Sequence, residues 1–258
     1  MKYIFFDIDH TLVSHVDFPH IPEQTREAVK LLRENGHVPA IATGRAGFLT
    51  FTTAREFEIE NIVCSGGAEI FVNGREIQKK FFPDEHLEKF LDVAKKFPQL
   101  TAAASDEFIY TDENSGAFRK YFNQQAGYDC VKPMKELKRA LMCYIMIPPK
   151  FLTPEHGIFY SPPENVKLEL MNAFTEARVA NTSKWRGIEI FMEHCGADIK
   201  DAITFGDGPN DIEMLANASL SVAVASASDK VKNSAKFVCE DIDEGGILKA
   251  CRELGLII

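Results

Sequence analysis

The sequence predicts an α/β protein: a three-layer, Rossmann-like core on a parallel sheet, with an α+β cap inserted into it. Three observations carry this prediction. Residues 3–64 alternate strand and helix signals in the order β-α-β-α-β, which implies parallel strands joined by right-handed crossovers. The same alternation returns near residue 184 and continues along the rest of the chain. Between the two blocks, from about residue 80, the pattern changes to an amphipathic helix, short strands and clustered prolines.

The first strand is "YIFF", residues 3–6, which runs straight into Asp7, Ile8 and Asp9. "PEQTREAVKLLRENG" follows as a helix. Pro22 suits its first turn, Ala28, Leu31 and Leu32 form its apolar stripe, and Gly36 stops it. "HVPAIATGR" is a second strand ending in Thr43 and Gly44. Residues 46–57 suit a helix, and "IENIVCSGG" is a third strand. In "EIFVNGREIQ", Asn73-Gly74 separates two alternating runs, the signature of a type I′ hairpin.

The inserted region opens with the amphipathic helix "PDEHLEKFLDVAKKF". Strands in "EFIYT" and "LMCYIMI" and a helix near residues 114–126 come next, with Pro148, Pro149, Pro154, Pro162 and Pro163 beyond them. The expected division is a core of residues 1–80 and 180–258 and a cap of residues 81–179. The core resumes with a helix at 184–195 that puts Ile188, Phe191, Met192 and Cys195 on one face. "DAITFGD" is a strand, "PNDIEMLANA" a helix and "LSVAVA" a strand. A short helix, a strand near "KFVC" and a final helix complete the core.

Composition narrows the function. The chain has 258 residues, 45% hydrophobic and 26% charged, as expected of a soluble globular protein. A net charge of −9 argues against nucleic acid or an anionic membrane as the main partner. Any anionic substrate therefore needs local dipoles or a metal to overcome the global field. The six cysteines form no C-x-x-C pair, and several lie in apolar runs, so they read as reduced, buried thiols of a cytoplasmic protein. Only four apolar residues separate Lys2 from Asp7, too few for a signal peptide, and no 18-residue apolar run occurs. The expectation is a cytoplasmic, soluble protein with no membrane partner; oligomeric state is left open.

Ligands of open parallel sheets bind beyond the carboxyl ends of the strands. The polar residues at such ends are Asp7 and Asp9, Thr43 and Gly44, and Asp207, with Asn210 and Asp211 opening the next helix and Lys184 at a helix N-terminus. Several carboxylates at one sheet edge repel one another unless a cation sits among them, and an all-oxygen set favours Mg²⁺. Thr43, Lys184 and the amides around Ile8 and Gly44 suit an anion with several oxygens, most simply phosphate. In phosphoryl transfer one carboxylate serves as nucleophile, while a second gives a proton to the leaving oxygen and later takes one from water. Alone, a D-x-D after an apolar run is often a solvated strand end, Thr-Gly is ordinary turn chemistry, and Lys184 is a surface lysine. Their occurrence together, in this order, points to catalysis.

These strings resemble the motifs of the haloacid dehalogenase (HAD) superfamily of phosphohydrolases. "DIDHT" at 7–11 is similar to its D-x-D-x-T signature, "ATGR" at 42–45 to its second motif, Lys184 to its third and "GDGPNDIEML" at 206–215 to its fourth. The insertion between motifs two and three resembles the large C2B cap of the Cof-type subgroup. The resemblance implies that Asp7 is the nucleophile and a Mg²⁺ ligand, and that Asp9 is the general acid/base and binds the metal through its main-chain carbonyl. It implies Asp207 as a further ligand, Asp211 as support for the metal or its waters, and Thr43, Lys184, Gly44, Ile8 and Asn210 as the phosphoryl cradle. It also implies hydrolysis of small phosphomonoesters, sugar phosphates first, with flavin mononucleotide or pyridoxal phosphate as other members of the class. A sugar phosphomutase and a non-catalytic regulator on the same fold are the alternatives; intact Asp7, Asp9, Lys184 and Asp207 argue against the regulator.

Three positions depart from the family pattern: His10 stands where Gly is usual, Gly66-Gly67-Ala68 where Asn-Gly-Ala is frequent, and Trp185-Arg186 where a small residue often follows the lysine. None removes a catalytic carboxylate. Arg45 reads equally as a substrate contact or a surface charge, and Trp185 as a packing residue. His10, His15 and His20 recur every five residues, which does not align them on a helical face, so no zinc site is expected.

Overall fold

The computed structural model describes residues 1–14, 16, 20–171 and 173–258, leaving aside the side chain of Ala117; His15 thus lies outside the described residues. The chain divides into two compact units. One comprises Met1–Gly44, Thr53–Ile77 and Ser183–Ile258, the other Arg45–Thr52 and Gln78–Thr182.

In chain order the elements are β1 (Tyr3–Phe6), α1 (Glu23–Glu34), β2 (Val38–Ala42), α2 (Gly47–Glu56), β3 (Ile62–Cys64), β4 (Glu69–Val72) and β5 (Arg75–Lys79). Next come α3 (Asp84–Lys96), β6 (Thr101–Ala104), β7 (Ile109–Thr111), α4 (Gly116–Ala126), β8 (Val131–Pro133), β9 (Met142–Ile145), β10 (Val166–Leu170) and β11 (Thr175–Val179). The last are α5 (Lys184–His194), β12 (Ala202–Gly206), α6 (Ile212–Asn217), β13 (Leu220–Val224), α7 (Asp229–Lys232), β14 (Phe237–Cys239) and α8 (Gly246–Glu253).

The first unit is built on an eight-stranded sheet of order β14-β13-β12-β1-β2-β3-β4-β5. Pairing is parallel from β14 through to β3 and antiparallel between β3 and β4. The antiparallel edge follows from turn chemistry: Asn73 (φ 49°) and Gly74 (φ 72°) both take the left-handed conformation that a type I′ turn demands. Strand order reverses between β1 and β12, which makes their carboxyl ends the topological switch point of the sheet. Helix α1 packs with α8, and α5 with α6, so both faces are covered. Pro22 differs slightly from expectation. It caps α1 in an extended conformation rather than entering the first turn, a position that also requires no N–H.

Burial on both sheet faces explains why β1 is apolar without alternation. Phe5, Val63, Trp185, Ile188, Phe191, Met192 and Met214 share one core cluster. Phe191 stands edge-on to Phe5 at 5.3 Å and to Tyr3 at 6.0 Å. Trp185 packs here, as the sequence suggested.

The second unit holds a six-stranded sheet of order β10-β11-β9-β6-β7-β8, antiparallel except for β7 with β8. Successive residues alternate faces. Ala103, Cys143 and Ile145 pack with Leu87, Phe90 and Val93 of α3. Ala102, Ala104, Met142 and Tyr144 pack with Phe118 and Phe122 of α4 and with Phe48 and Leu49. That double burial is why "LMCYI", residues 141–145, is an unbroken apolar run. The six cysteines are free thiols, five of them buried. Among the described residues, no helix is long and apolar enough to cross a membrane.

Phe191 is fully buried. Phe191→Ala is expected to cost about 3–5 kcal/mol, because the surrounding rings cannot collapse into the void. Urea unfolding measures it; a loss under about 1 kcal/mol would mean this cluster is not the core of the unit.

Candidate active site

Parallel pairing aligns the strand ends. Phe6 pairs with Phe205 on one side and Ile41 on the other, so Asp7 emerges beside Gly206 and Ala42. Its amide continues the ladder by donating to the Phe205 carbonyl at 3.0 Å. One residue further, the chain turns sharply. The Ile8 carbonyl accepts from the amides of Leu12 and Val13, both at 2.9 Å, and His10 donates to the Val13 carbonyl at 2.8 Å. His10 holds φ 65°, a conformation that glycine adopts without strain, which accounts for the residue usual at that place in the resembled motif.

Asp7, Asp207 and Asp211 present carboxylate oxygens within 4.8 Å of one another. Lys184, the first residue of α5, places Nζ 2.7 Å from Asp7 Oδ1 and 2.6 Å from Asp211 Oδ1. Its side chain is 1% exposed. The α5 N-terminus is set by Ser183, whose hydroxyl accepts the Arg186 amide at 3.0 Å. Both oxygens of Asp211 are engaged: Oδ1 by Lys184, and Oδ2 by the amides of Asp207 at 3.0 Å and Gly208 at 2.8 Å. Asp211 thus braces the lysine and the loop after β12. That loop needs Gly206, since a Cβ there would lie 2.6 Å from the Asp211 carboxyl carbon.

Were all three carboxylates ionised, the one ammonium would leave two negative charges in a buried site. Burial therefore dominates the titration: it pushes the Asp207 carboxyl up to about 8, with repulsion from Asp7 and Asp211 adding to it and the Thr11 hydrogen bond opposing. Asp7 is raised to about 7 for the same reason, with Lys184 working against the shift. Burial disfavours the Lys184 ammonium, yet Asp211 and Asp7 outweigh that and raise its pKa. A divalent cation with oxygen ligands fits this donor set and its charge.

The remaining expected residues divide. Asn210 lies against the Gly44 backbone; a Cβ on Gly44 would meet its Nδ2 at 3.3 Å, so these two come together. Thr43 is buried, its amide donates to the Val63 carbonyl at 2.8 Å, and its own carbonyl accepts from Gly66 at 3.1 Å. The Asp9 carboxylate is not one of the three clustered groups; Asp9 bridges to Val13 across the turn. Arg45 is only 8% exposed, which overturns the surface-charge alternative. Sequence reasoning passed over Thr11, whose hydroxyl donates to Asp207 Oδ1 at 2.8 Å and orients it. The signal was its fixed place in "DIDHT".

Comparison with known proteins identifies the family. The family model described as haloacid dehalogenase-like hydrolase matches residues 4–251. YkrA of Bacillus subtilis, to which phosphatase activity is ascribed, is 29% identical over 99% of this chain and 98% of its own. A B. subtilis 5-amino-6-(5-phospho-D-ribitylamino)uracil phosphatase, YcsE, is 23% identical over 98% of this chain and 95% of its own. Among solved structures, the HAD subclass IIB sugar phosphatase BT4131 superposes with a TM-score of 0.85 at 27% identity, covering all of both chains.

The raised carboxyls predict a pH signature. In the metal-free folded protein burial keeps Asp207 protonated up to about pH 8, whereas the unfolded chain releases the proton near the ordinary aspartate value of 3.8. Its contribution to stability is full below that lower value and is lost as pH rises through the upper one. With metal chelated, Asp207→Asn is expected to flatten the fall in melting temperature between about pH 5 and pH 8. Added Mg²⁺ is expected to stabilise the wild type more at the higher pH. Thermal scans check both, and equal slopes in variant and wild type would refute the assignment.

Proposed function

This chain belongs to the haloacid dehalogenase-like hydrolases, and from that premise we propose that it is a Mg²⁺-dependent phosphatase. Its substrates are small phosphomonoesters, sugar phosphates first among them, cleaved through a phosphoryl group carried on Asp7. The observation that carries this reading is the Lys184 ammonium held between Asp7 and Asp211 at the switch point of the sheet. The sugar class is favoured because BT4131 is a sugar phosphatase and YcsE acts on a phosphorylated ribityl chain. Residues 1–80 and 180–258 act as the catalytic core, and residues 81–179 as the cap that selects the leaving group. The free thiols support a reducing, cytoplasmic setting.

In the first step an Asp7 oxygen bonds to phosphorus while the bond to the leaving oxygen breaks. That oxygen takes the proton of Asp9. In the second step Asp9 takes a proton from water, the water oxygen bonds to phosphorus, and inorganic phosphate leaves Asp7. Lys184 lowers the charge that an incoming phosphate meets at Asp7. Thr43, Asn210 and the amides of Ile8 and Gly44 hold the phosphoryl oxygens. Asp7, Asp207 and Asp211, with the main-chain carbonyl of Asp9, are the groups that would hold Mg²⁺, which supplies positive charge to offset that of the transferring group.

A panel of phosphomonoesters with Mg²⁺ is expected to yield inorganic phosphate, with sugar phosphates turned over fastest. Isomerised product without phosphate release would instead mark a phosphomutase. Asp7→Asn is expected to lower kcat by about a thousandfold or more, and full turnover in that variant would end the nucleophile assignment. His10→Gly is expected to stay within about tenfold of wild type, since no proton transfer requires the imidazole. A thousandfold loss would make His10 part of the chemistry.

A further inference from the structure

The loop between β3 and β4 runs through three successive left-handed residues: Ser65 (φ 51°), Gly66 (φ 57°) and Gly67 (φ 91°). The two glycines adopt this readily, but Ser65 carries a Cβ and does so at a cost. Something must hold it there. The Ser65 hydroxyl donates to Glu69 Oε2 at 2.5 Å, and the Cys64 thiol lies 3.9 Å from the same oxygen. Glu69 is 1% exposed and pairs with Cys64 across the β3–β4 ladder. A carboxylate so deeply buried is expensive unless its contacts serve a purpose.

The loop it holds touches Thr43, one of the residues proposed to bind the phosphoryl group, and Ser183, the residue before Lys184. Gly66 donates its amide to the Thr43 carbonyl at 3.1 Å. Gly67 lies directly on the backbone of Ser183; a Cβ there would fall 2.1 Å from the Ser183 carbonyl oxygen. Ser183 is the N-cap of α5, and the next residue is Lys184. The fit continues one turn on, where a Cβ on Gly187 would lie 3.1 Å from Gly67 Cα and 2.4 Å from Val63 Cγ1. Helix α5 can approach β3 this closely only because Gly67 and Gly187 lack side chains.

We propose that Glu69 is a positioning residue: through Ser65 it locks the loop that seats the N-terminus of α5, and so aims the Lys184 ammonium at Asp7 and Asp211. Glu69 touches no reacting atom. Its role rests on the proposed phosphatase reading only for the kinetic consequence, because the aim of Lys184 has its own physical readout. A buried, ion-paired ammonium exchanges its protons slowly and gives a distinct NMR signal at Nζ.

The test compares Glu69→Leu, Glu69→Gln and Ser65→Ala with wild type. Leu32→Ala, a buried change in α1 remote from this loop, serves as a control for general loss of stability. Glu69→Leu is expected to shift or broaden the Lys184 Nζ signal and to lower kcat by about 10- to 100-fold with KM little changed, as misplacement of a catalytic contact does. Ser65→Ala is expected to act in the same direction, and it carries the test if Glu69→Leu does not fold. Glu69→Gln keeps an oxygen for the Ser65 hydroxyl and is expected to remain within about threefold of wild type. Leu32→Ala is expected to lower stability while leaving kcat and the Lys184 signal in place. An unmoved Lys184 signal with unchanged kcat in both Glu69→Leu and Ser65→Ala overturns the proposal. So does a loss in Leu32→Ala that matches theirs. If wild type releases no phosphate while the Lys184 signal still moves in Glu69→Leu, the positioning role stands and the phosphatase reading falls.

Discussion

The Lys184 ammonium, buried between Asp7 and Asp211, is the interaction on which the site depends. Removing the lysine from such an arrangement leaves buried carboxylates without their cation in a medium that solvates charge poorly. The surroundings are built to prevent that. Asp211 ties the lysine to the loop after β12, Gly206 leaves room for Asp211, and Thr11 holds Asp207. Even so, three ionised carboxylates would outnumber the ammonium by two, an excess that burial counters by raising Asp7 and Asp207 and that a divalent cation would offset.

Topology makes the convergence achievable. Asp7 and Asp207 leave adjacent parallel strands at the point where the strand order reverses, so the diverging loops open a space between them. Lys184 reaches that space from the start of a helix packed across β2, β3 and β4. Close helix-to-strand approach at Gly67 and Gly187 decides how far it can reach. Small residues there serve the charge arrangement a full turn away.

The second unit obeys a different rule. Its sheet buries apolar residues on both faces, through α3 on one side and α4 with Phe48 and Leu49 on the other. Charged residues nonetheless enter it: Arg178 is almost wholly buried and is ion-paired to both Glu169 and Glu176 of the neighbouring ladder positions. An arginine fork can hold two carboxylates in fixed geometry, which gives this unit a rigid polar corner within an apolar sheet.

Much of this was legible in the chain itself. Strand and helix order followed from hydrophobic periodicity, the hairpin from Asn73-Gly74, and the places of Asp7 and Asp207 from the ends of apolar strands, because these are local patterns. Arg45 and Glu69 were not legible. Arg45 reads equally as a substrate contact or a surface charge and is enclosed; Glu69 sits in an alternating run and is buried with Ser65. Burial of a charged residue depends on partners distant in sequence, and no local signal carries it. The sequence by itself determined which groups are available for chemistry and which strand ends present them. Only the tertiary structure decided that a lysine far along the chain stands between Asp7 and Asp211, since helix packing, not sequence spacing, sets the distance between charges.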